Sequence, residues 1–390
     1  MFRKRSKRPK YFVPLAASLM MLTGILIHPG AAGACTGQGE YGFWQKVGAR
    51  AALKAVRMMN GNGIRLRSKK CMAMTNAGYA EIDARSTAGA LDGLSRTLGV
   101  SRGDHSLIEV HSAPGAALWF AVYDENSGFC AYLQVDPDRV GAMENPRREE
   151  KESLFAIKAL EQINAEHLYR NAEAYTGKFN NRIFGGNEFR VVTIANAVAA
   201  GAPTCAVRSF EFHDHYCPGV TSGILMALYL KAFFPVSSGG SYFIQSVNPW
   251  CKEDALLVML NATPGKKAYT VTYPTAEDIA AWPEWARSAS TVAYRKDPGS
   301  GTWSGVVLGY EWGDTGCPAY GHSILDKLCT DLWYLERLDK PEQFIKVLYE
   351  FELPAGDDPR NYARPGMDPI LRLDQLKSTP MSYEKDGQKE

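Results

Sequence analysis

One order of elements occurs twice along this chain, and that restricts the fold more than any other feature. In the first half, Phe43, Val47, Ala51, Ala55 and Met59 fall at helical spacing, and Asn60-Gly61-Asn62-Gly63 ends the helix in a turn. Residues 88–98 read as a second helix, 106–111 and 117–123 as strands, and 124–128 as a hairpin turn into a strand over 129–135. In the second half, Pro218 opens a helix that is apolar on most faces until Pro235, as a buried core helix should be. A helix over 254–260, stopped by Pro264-Gly265, is followed by strands at 268–273 and 291–294, a turn at 297–301 and a return strand at 302–308. Laid side by side, Gly89-Ala90-Leu91 falls on Asp254-Ala255-Leu256, Ala121-Val122-Tyr123 on Val292-Ala293-Tyr294, and Cys35-Thr36-Gly37 on Cys217-Pro218-Gly219. This is the pattern of an internal duplication. It predicts an α+β fold of two related modules, each with helices packed on a small antiparallel sheet.

The modules are expected at residues 35–140 and 201–310. Between them, Asn145-Pro146 caps the charged run Arg147 to Lys151, and Leu154, Ile157, Leu160 and Ile163 continue it at helical spacing. Residues 141–200 therefore read as a helical connector. Beyond Tyr310, Trp312, Trp333, Tyr334 and Phe344 are spread through an expected helical extension over 311–376, and the polar residues 377–390 read as a disordered tail.

Charge and compartment follow from the N-terminus. Six basic residues stand in the first ten (Arg3, Lys4, Arg5, Lys7, Arg8, Lys10), with no acidic residue before Glu40. An apolar stretch over 11–27 and the small residues Ala31-Ala32-Gly33-Ala34 complete the order of a secretory signal peptide over residues 1–34. An exported, periplasmic or otherwise extracytoplasmic protein is the expectation. An uncleaved anchor is the alternative, although the stretch is shorter than the ~20 residues a span needs. Cys35 lies where a lipoprotein would carry its lipid, but Ala32 replaces the leucine usual in such signals. Without the segment, 38 basic residues face 42 acidic ones, which gives no electrostatic reason to expect nucleic-acid binding.

Eight cysteines in an exported chain suggest disulfides. No C-x-x-C occurs, so neither a zinc ribbon nor a thioredoxin-type centre is encoded. With two thiolates on a metal, six cysteines remain for three bridges, and Cys317 with Cys329 is the favoured pair because the two are close in sequence.

The run Phe212-His213-Asp214-His215-Tyr216-Cys217-Pro218-Gly219 concentrates two of the seven histidines beside a cysteine. In an extended segment His213, His215 and Cys217 would point to one side. Imidazole and thiolate together suit zinc or a similar transition ion. Pro218 starts a helix directly after Cys217, and a helix N-terminus favours thiolate. Cys251, also just before a helix, is the candidate fourth ligand; a Cys217–Cys251 disulfide is the alternative. Asp214 would point away as a cap or supporting group, and Asp254 could orient a ligating histidine or move a proton. His111, His167 and His322 stand alone and read as ordinary structural residues.

The same run, followed by Cys251-Lys252-Glu253-Asp254-Ala255 and Ala262-Thr263-Pro264-Gly265-Lys266, resembles the FmdE family of formylmethanofuran dehydrogenase subunits over about residues 205–310. The family pattern is F-H-G-H-x-C-P-G, a buried helix, C-x-x-D-A and a G-[CA]-T-x-G-K-like turn. The resemblance implies an α+β core, often dimeric, with a metal at the His/Cys cluster. Members stand beside molybdenum or tungsten enzymes of methanogenesis and also occur without that pathway. The paired C-x-x-C of some members is absent; Cys317, His322 and Cys329 do not reproduce it. In the first half, Ser86 stands where Cys251 stands and no His-x-His precedes Cys35, so that half resembles a degenerate copy.

Three functional readings follow. The first is a protein that binds a transition metal, zinc by default, or a haem-like tetrapyrrole or other metal-containing ligand, flanked by Phe212, Tyr216 and Trp250. The second is a zinc-dependent hydrolase or lyase on a small molecule, in which Asp254 or Tyr216 moves protons. The third is a periplasmic scaffold for a redox partner. A monomer built as a pseudo-dimer, or a homodimer, is the expected assembly, with membrane contact only through an uncleaved signal or a lipid.

Overall fold

The computed structural model describes residues 38–66, 70–140 and 154–378. The expected signal peptide, Cys35, the capped start of the connector and the tail from residue 379 lie outside the described residues. The first half runs through α1 (Gln38–Gly61), β1 (Cys71–Thr75), a ribbon of β2 (Glu81–Ile82) and β3 (Arg85–Ser86), α2 (Gly89–Leu98), β4 (Leu107–Glu109), β5 (Trp119–Asp124), β6 (Phe129–Val135), α3 (Pro137–Val140) and β7 (Phe155–Gln162). Helices α4 (Ala165–Arg170), α5 (Ala172–Asn180), α6 (Glu188–Ala199) and α7 (Thr204–His213) lead into the second half. That half holds α8 (Pro218–Phe233), β8 (Ser241–Ser246), α9 (Lys252–Leu260), β9 (Tyr269–Val271), α10 (Ala276–Ala281), β10 (Ala289–Lys296), β11 (Trp303–Tyr310), α11 (Ser323–Leu335), β12 (Ile345–Glu352) and α12 (Pro369–Ser378).

The fold is α+β, and its two five-stranded sheets share one topology. Their orders are β4-β1-β5-β6-β7 and β9-β8-β10-β11-β12. In each, the first pair is parallel and the remaining pairs are antiparallel. The sheets are thus mixed, not antiparallel as expected. The reason is the helix between the parallel-paired strands: α2 lies between β1 and β4 and α9 between β8 and β9, and such a crossover delivers a parallel neighbour.

Two further expectations are corrected. Residues 155–162 are a strand, not the start of a helical connector, because β6 offers an unpaired edge and Phe155, Ile157 and Ala159 alternate along it. Likewise Ile345 to Glu352 is a strand paired to β11 inside the supposed helical extension. Each sheet therefore closes well beyond the boundaries 140 and 310.

A core between the sheets joins both halves. Met72 and Tyr132 of the first sheet and Ile244 and Val306 of the second pack with Val191, Val207, Ile224 and Leu328 from α6, α7, α8 and α11. Two outer cores complete the molecule: α1 and α2 cover the far face of the first sheet through Trp44, Val47 and Leu94, and α12 covers that of the second through Ile370 and Leu373. No described helix is long and apolar enough to cross a membrane.

Cys317 and Cys329 form the expected disulfide. Cys71, Cys130, Cys205, Cys217 and Cys251 are free, so a three-bridge framework does not form among the described residues. Cys71 and Cys130 serve as small apolar residues of β1 and β6, and burial pushes the Cys71 thiol up to about 12.

Candidate metal centre

His213 is the last residue of α7, Asp214 turns the chain in a left-handed conformation (φ 74°), and Cys217 is the extended residue that precedes Pro218 at the start of α8. The segment is thus a helix-to-helix corner rather than a fully extended run, and Asp suits the left-handed step because its short side chain tolerates it. The corner achieves the same convergence: ligand atoms of His213, His215 and Cys217 all lie within 4.8 Å of one another. Cys251, at the start of α9, comes against this cluster beside Gly219 and Cys217.

Each imidazole is fixed through Nδ1 by a carboxylate. His213 Nδ1 lies 2.6 Å from Asp254 Oδ2, and His215 Nδ1 lies 2.5 Å from Asp214 Oδ1. Asp214 is itself held by Arg190 from α6 at 2.6 Å. His213 Nε2 is buried without a hydrogen-bond partner. A carboxylate behind each histidine, with Nε2 of His213 buried on the opposite side of its ring, is the arrangement that orients metal-ligating imidazoles. The residues present therefore fit a borderline-soft transition ion.

The electrostatics agree. Burial is the largest effect on His213 and opposes its protonation, but the hydrogen bond to Asp254 and the neighbouring Cys251 sulfur together outweigh it and lift its pKa to about 9. The Cys217 thiol donates toward Cys251, and this, with His213 and the nearby His215 ring, overcomes burial and brings Cys251 to about 4. Cys217 is driven upward by the same sharing and by its own burial. Burial also works against the Asp214 charge, yet His215 and Arg190 hold its carboxyl below the usual range. These shifts favour a thiolate on Cys251 beside a charged His213.

The other residues proposed from sequence divide. Asp254 and Asp214 take supporting positions behind the histidines. Tyr216 is enclosed in the core against Phe210 and does not face a cleft, because the corner that turns its neighbours inward sends its ring the other way. Phe212 is partly exposed and stacks on His111 of the first half at 5.3 Å. Trp250 is exposed and meets Trp312 edge-on at 6.0 Å. His111, read as structural, proves to join the halves. Sequence reasoning does not find Arg190, Phe189 (4.8 Å from the His215 ring) or Thr193, which accepts from the Tyr216 N–H; they come from α6, and no local motif ties that helix to the cluster. Beside Asp214 and Arg190 a cavity of about 430 Å³ is lined by Asn76, His111 and Ser112 from the first half and Asn187 from the second.

These features define a class: an α+β module whose helix ends gather two histidines and neighbouring cysteines for a metal. Residues 212–282 match the model of the family described as FmdE, Molybdenum formylmethanofuran dehydrogenase operon, and this segment is an FmdE domain. No curated protein matches the chain.

Proposed function

We propose that this protein is an exported metal-binding protein whose second module holds one transition-metal ion, zinc by default, through His213, His215 and Cys217 with Cys251 as the fourth donor. The observation that carries the reading is the buried, partnerless His213 Nε2 inside a set of donor atoms within 4.8 Å of one another. A bare ion suits this set better than a tetrapyrrole: the two imidazole rings are only 4.5 Å apart, too close to stand on opposite faces of a macrocycle. When bound, zinc supplies Lewis acidity. The chain's own groups favour holding over catalysis. Four protein donors close a tetrahedral site, Asp254 is committed to His213, and Tyr216 is enclosed. Binding requires Cys217 and His213 to give up protons, so affinity should rise with pH through about 9, where His213 releases its proton, and continue to rise above it because Cys217 holds its proton more tightly.

Elemental analysis of the purified mature chain should find about one equivalent of metal, lost in His215→Ala and Cys217→Ala variants that keep the wild-type far-UV spectrum. Metal-free protein with a Cys217–Cys251 disulfide would reject the reading. Turnover of small molecules that depends on Asp254 would favour the hydrolase or lyase reading instead.

A further inference from the structure

A second concavity of about 750 Å³ lies on the second module, where the end of α8, the turn after α9, the start of β8 and the residues after β12 meet. Its lining includes Lys231, Lys266, Lys267, Lys296 and Arg360 against a single acidic residue, Asp358. The whole chain is nearly balanced, with 44 basic and 42 acidic residues, so this is a strong local excess. It is made by the fold, because these residues come from separate chain segments.

The internal partners leave much of that charge uncompensated. Asp358 is taken by Arg360, which donates from Nε at 2.7 Å and from a terminal nitrogen at 2.6 Å. Lys266 donates to the side-chain and backbone oxygens of Asn261. Lys296 stands over the Trp303 ring at 5.8 Å. Lys231, Lys267 and Lys296 form no ion pair within 4 Å among the described residues, Lys296 sharing only the longer-range attraction of Asp358, and all three are exposed. Like charges gathered in a concavity repel one another and focus a positive field that a bound anion relieves. Ammonium groups are compact donors suited to phosphate oxygens. Phe243, Met259 and Trp303 add apolar surface to the same cavity, whose volume is that of a small-molecule site.

We propose that this groove binds a small soluble polyanion carrying two or more phosphate groups, independently of the metal. The sequence Ala262-Thr263-Pro264-Gly265-Lys266, which the metal centre does not use, forms the turn that places Lys266 and Lys267 on its rim.

Isothermal titration of the full mature chain with inorganic tripolyphosphate at low salt tests the proposal. The expected result is saturable one-to-one binding, weakened at least tenfold by the Lys267→Glu/Lys296→Glu double substitution and by added salt, and unchanged in His215→Ala. Lys231→Glu alone should weaken it by a smaller factor. A nucleoside triphosphate that binds more tightly than tripolyphosphate would identify an organic phosphate that uses the apolar surface; equal affinity would identify free polyphosphate. No saturable binding of either probe, binding unaffected by the charge reversals in folded variants, or binding only to phosphatidylglycerol vesicles would overturn it.

Discussion

Asp254 holds His213 by one nitrogen while the other faces the cluster, so its charge works through the histidine. Asp254→Asn keeps the shape and removes the charge; metal affinity should fall roughly 10–100-fold, measured by competition with a chromophoric chelator, with the melting of the metal-free protein nearly unchanged. Asp331 poses a different problem. It is fully buried in α11, its Oδ2 has no partner, and Thr221 has one proton for both the Cys217 carbonyl at 3.2 Å and Asp331 Oδ1 at 3.3 Å. The bonds are satisfied together when Asp331 carries a proton and donates to Thr221, and burial does raise its pKa well above the ordinary value. The unfolded chain releases this proton at ordinary carboxylate pH while the folded chain keeps it, so the stability contribution falls as pH rises from there through the folded pKa. Asp331→Asn should therefore be more stable than wild type by about 1–3 kcal/mol at pH 8, with a smaller difference at pH 5; urea unfolding at the two pH values checks it, and a gap that does not widen with pH would contradict it. At this scale the His-x-His-x-Cys cluster was legible because its members are near one another in sequence. Arg190 and Asp331 were not, since only tertiary packing brings α6 and α11 to the corner.

The helix pair α8 and α9 sets the distance between Cys217 and Cys251. Gly219 and Gly223, one turn apart on α8, face the first turn of α9: a Cβ at Gly223 would meet the Lys252 carbonyl oxygen at 2.2 Å, and one at Gly219 would meet Cys251 Cβ at 2.7 Å. Backbone cannot yield as a side-chain tip does. Gly223→Ala should destabilise the fold by about 1–3 kcal/mol and loosen the metal as α9 is pushed away; thermal unfolding with and without chelator separates the two effects, and an unchanged metal affinity would show that Cys251 is not held by this contact. The helices themselves were readable from apolar spacing and from Pro218. The strands β1 and β8 were not: β1, Cys-Met-Ala-Met-Thr, is buried at every position and shows no alternation, and β8 lies between two helices with little to distinguish it from a loop. The period in residues 154–163 matches a helix by coincidence of Leu and Ile positions, and the open edge of β6 decides otherwise.

Across the whole molecule the halves share a core and a polar seam. The His111 N–H donates to the Glu211 carbonyl at 2.9 Å, the Glu109 N–H donates to Glu211 Oε1 at 3.1 Å, and Arg102 reaches Glu211 at 3.4 Å. Calorimetry should accordingly show one unfolding transition, and a chain lacking residues 38–162, the full first sheet rather than a cut at 140, should aggregate through the face that Met72 and Tyr132 now cover; a soluble, monomeric and metal-loaded remainder would contradict this. The cysteines place opposite demands on the surroundings. The Cys317–Cys329 bridge needs an oxidant to form, whereas Cys217 and Cys251, a thiol beside a thiolate, stay reduced only while no oxidant reaches them. Metal and oxidant compete for the same two sulfurs, so whichever the chain meets first decides whether the centre becomes a binding site or a second bridge.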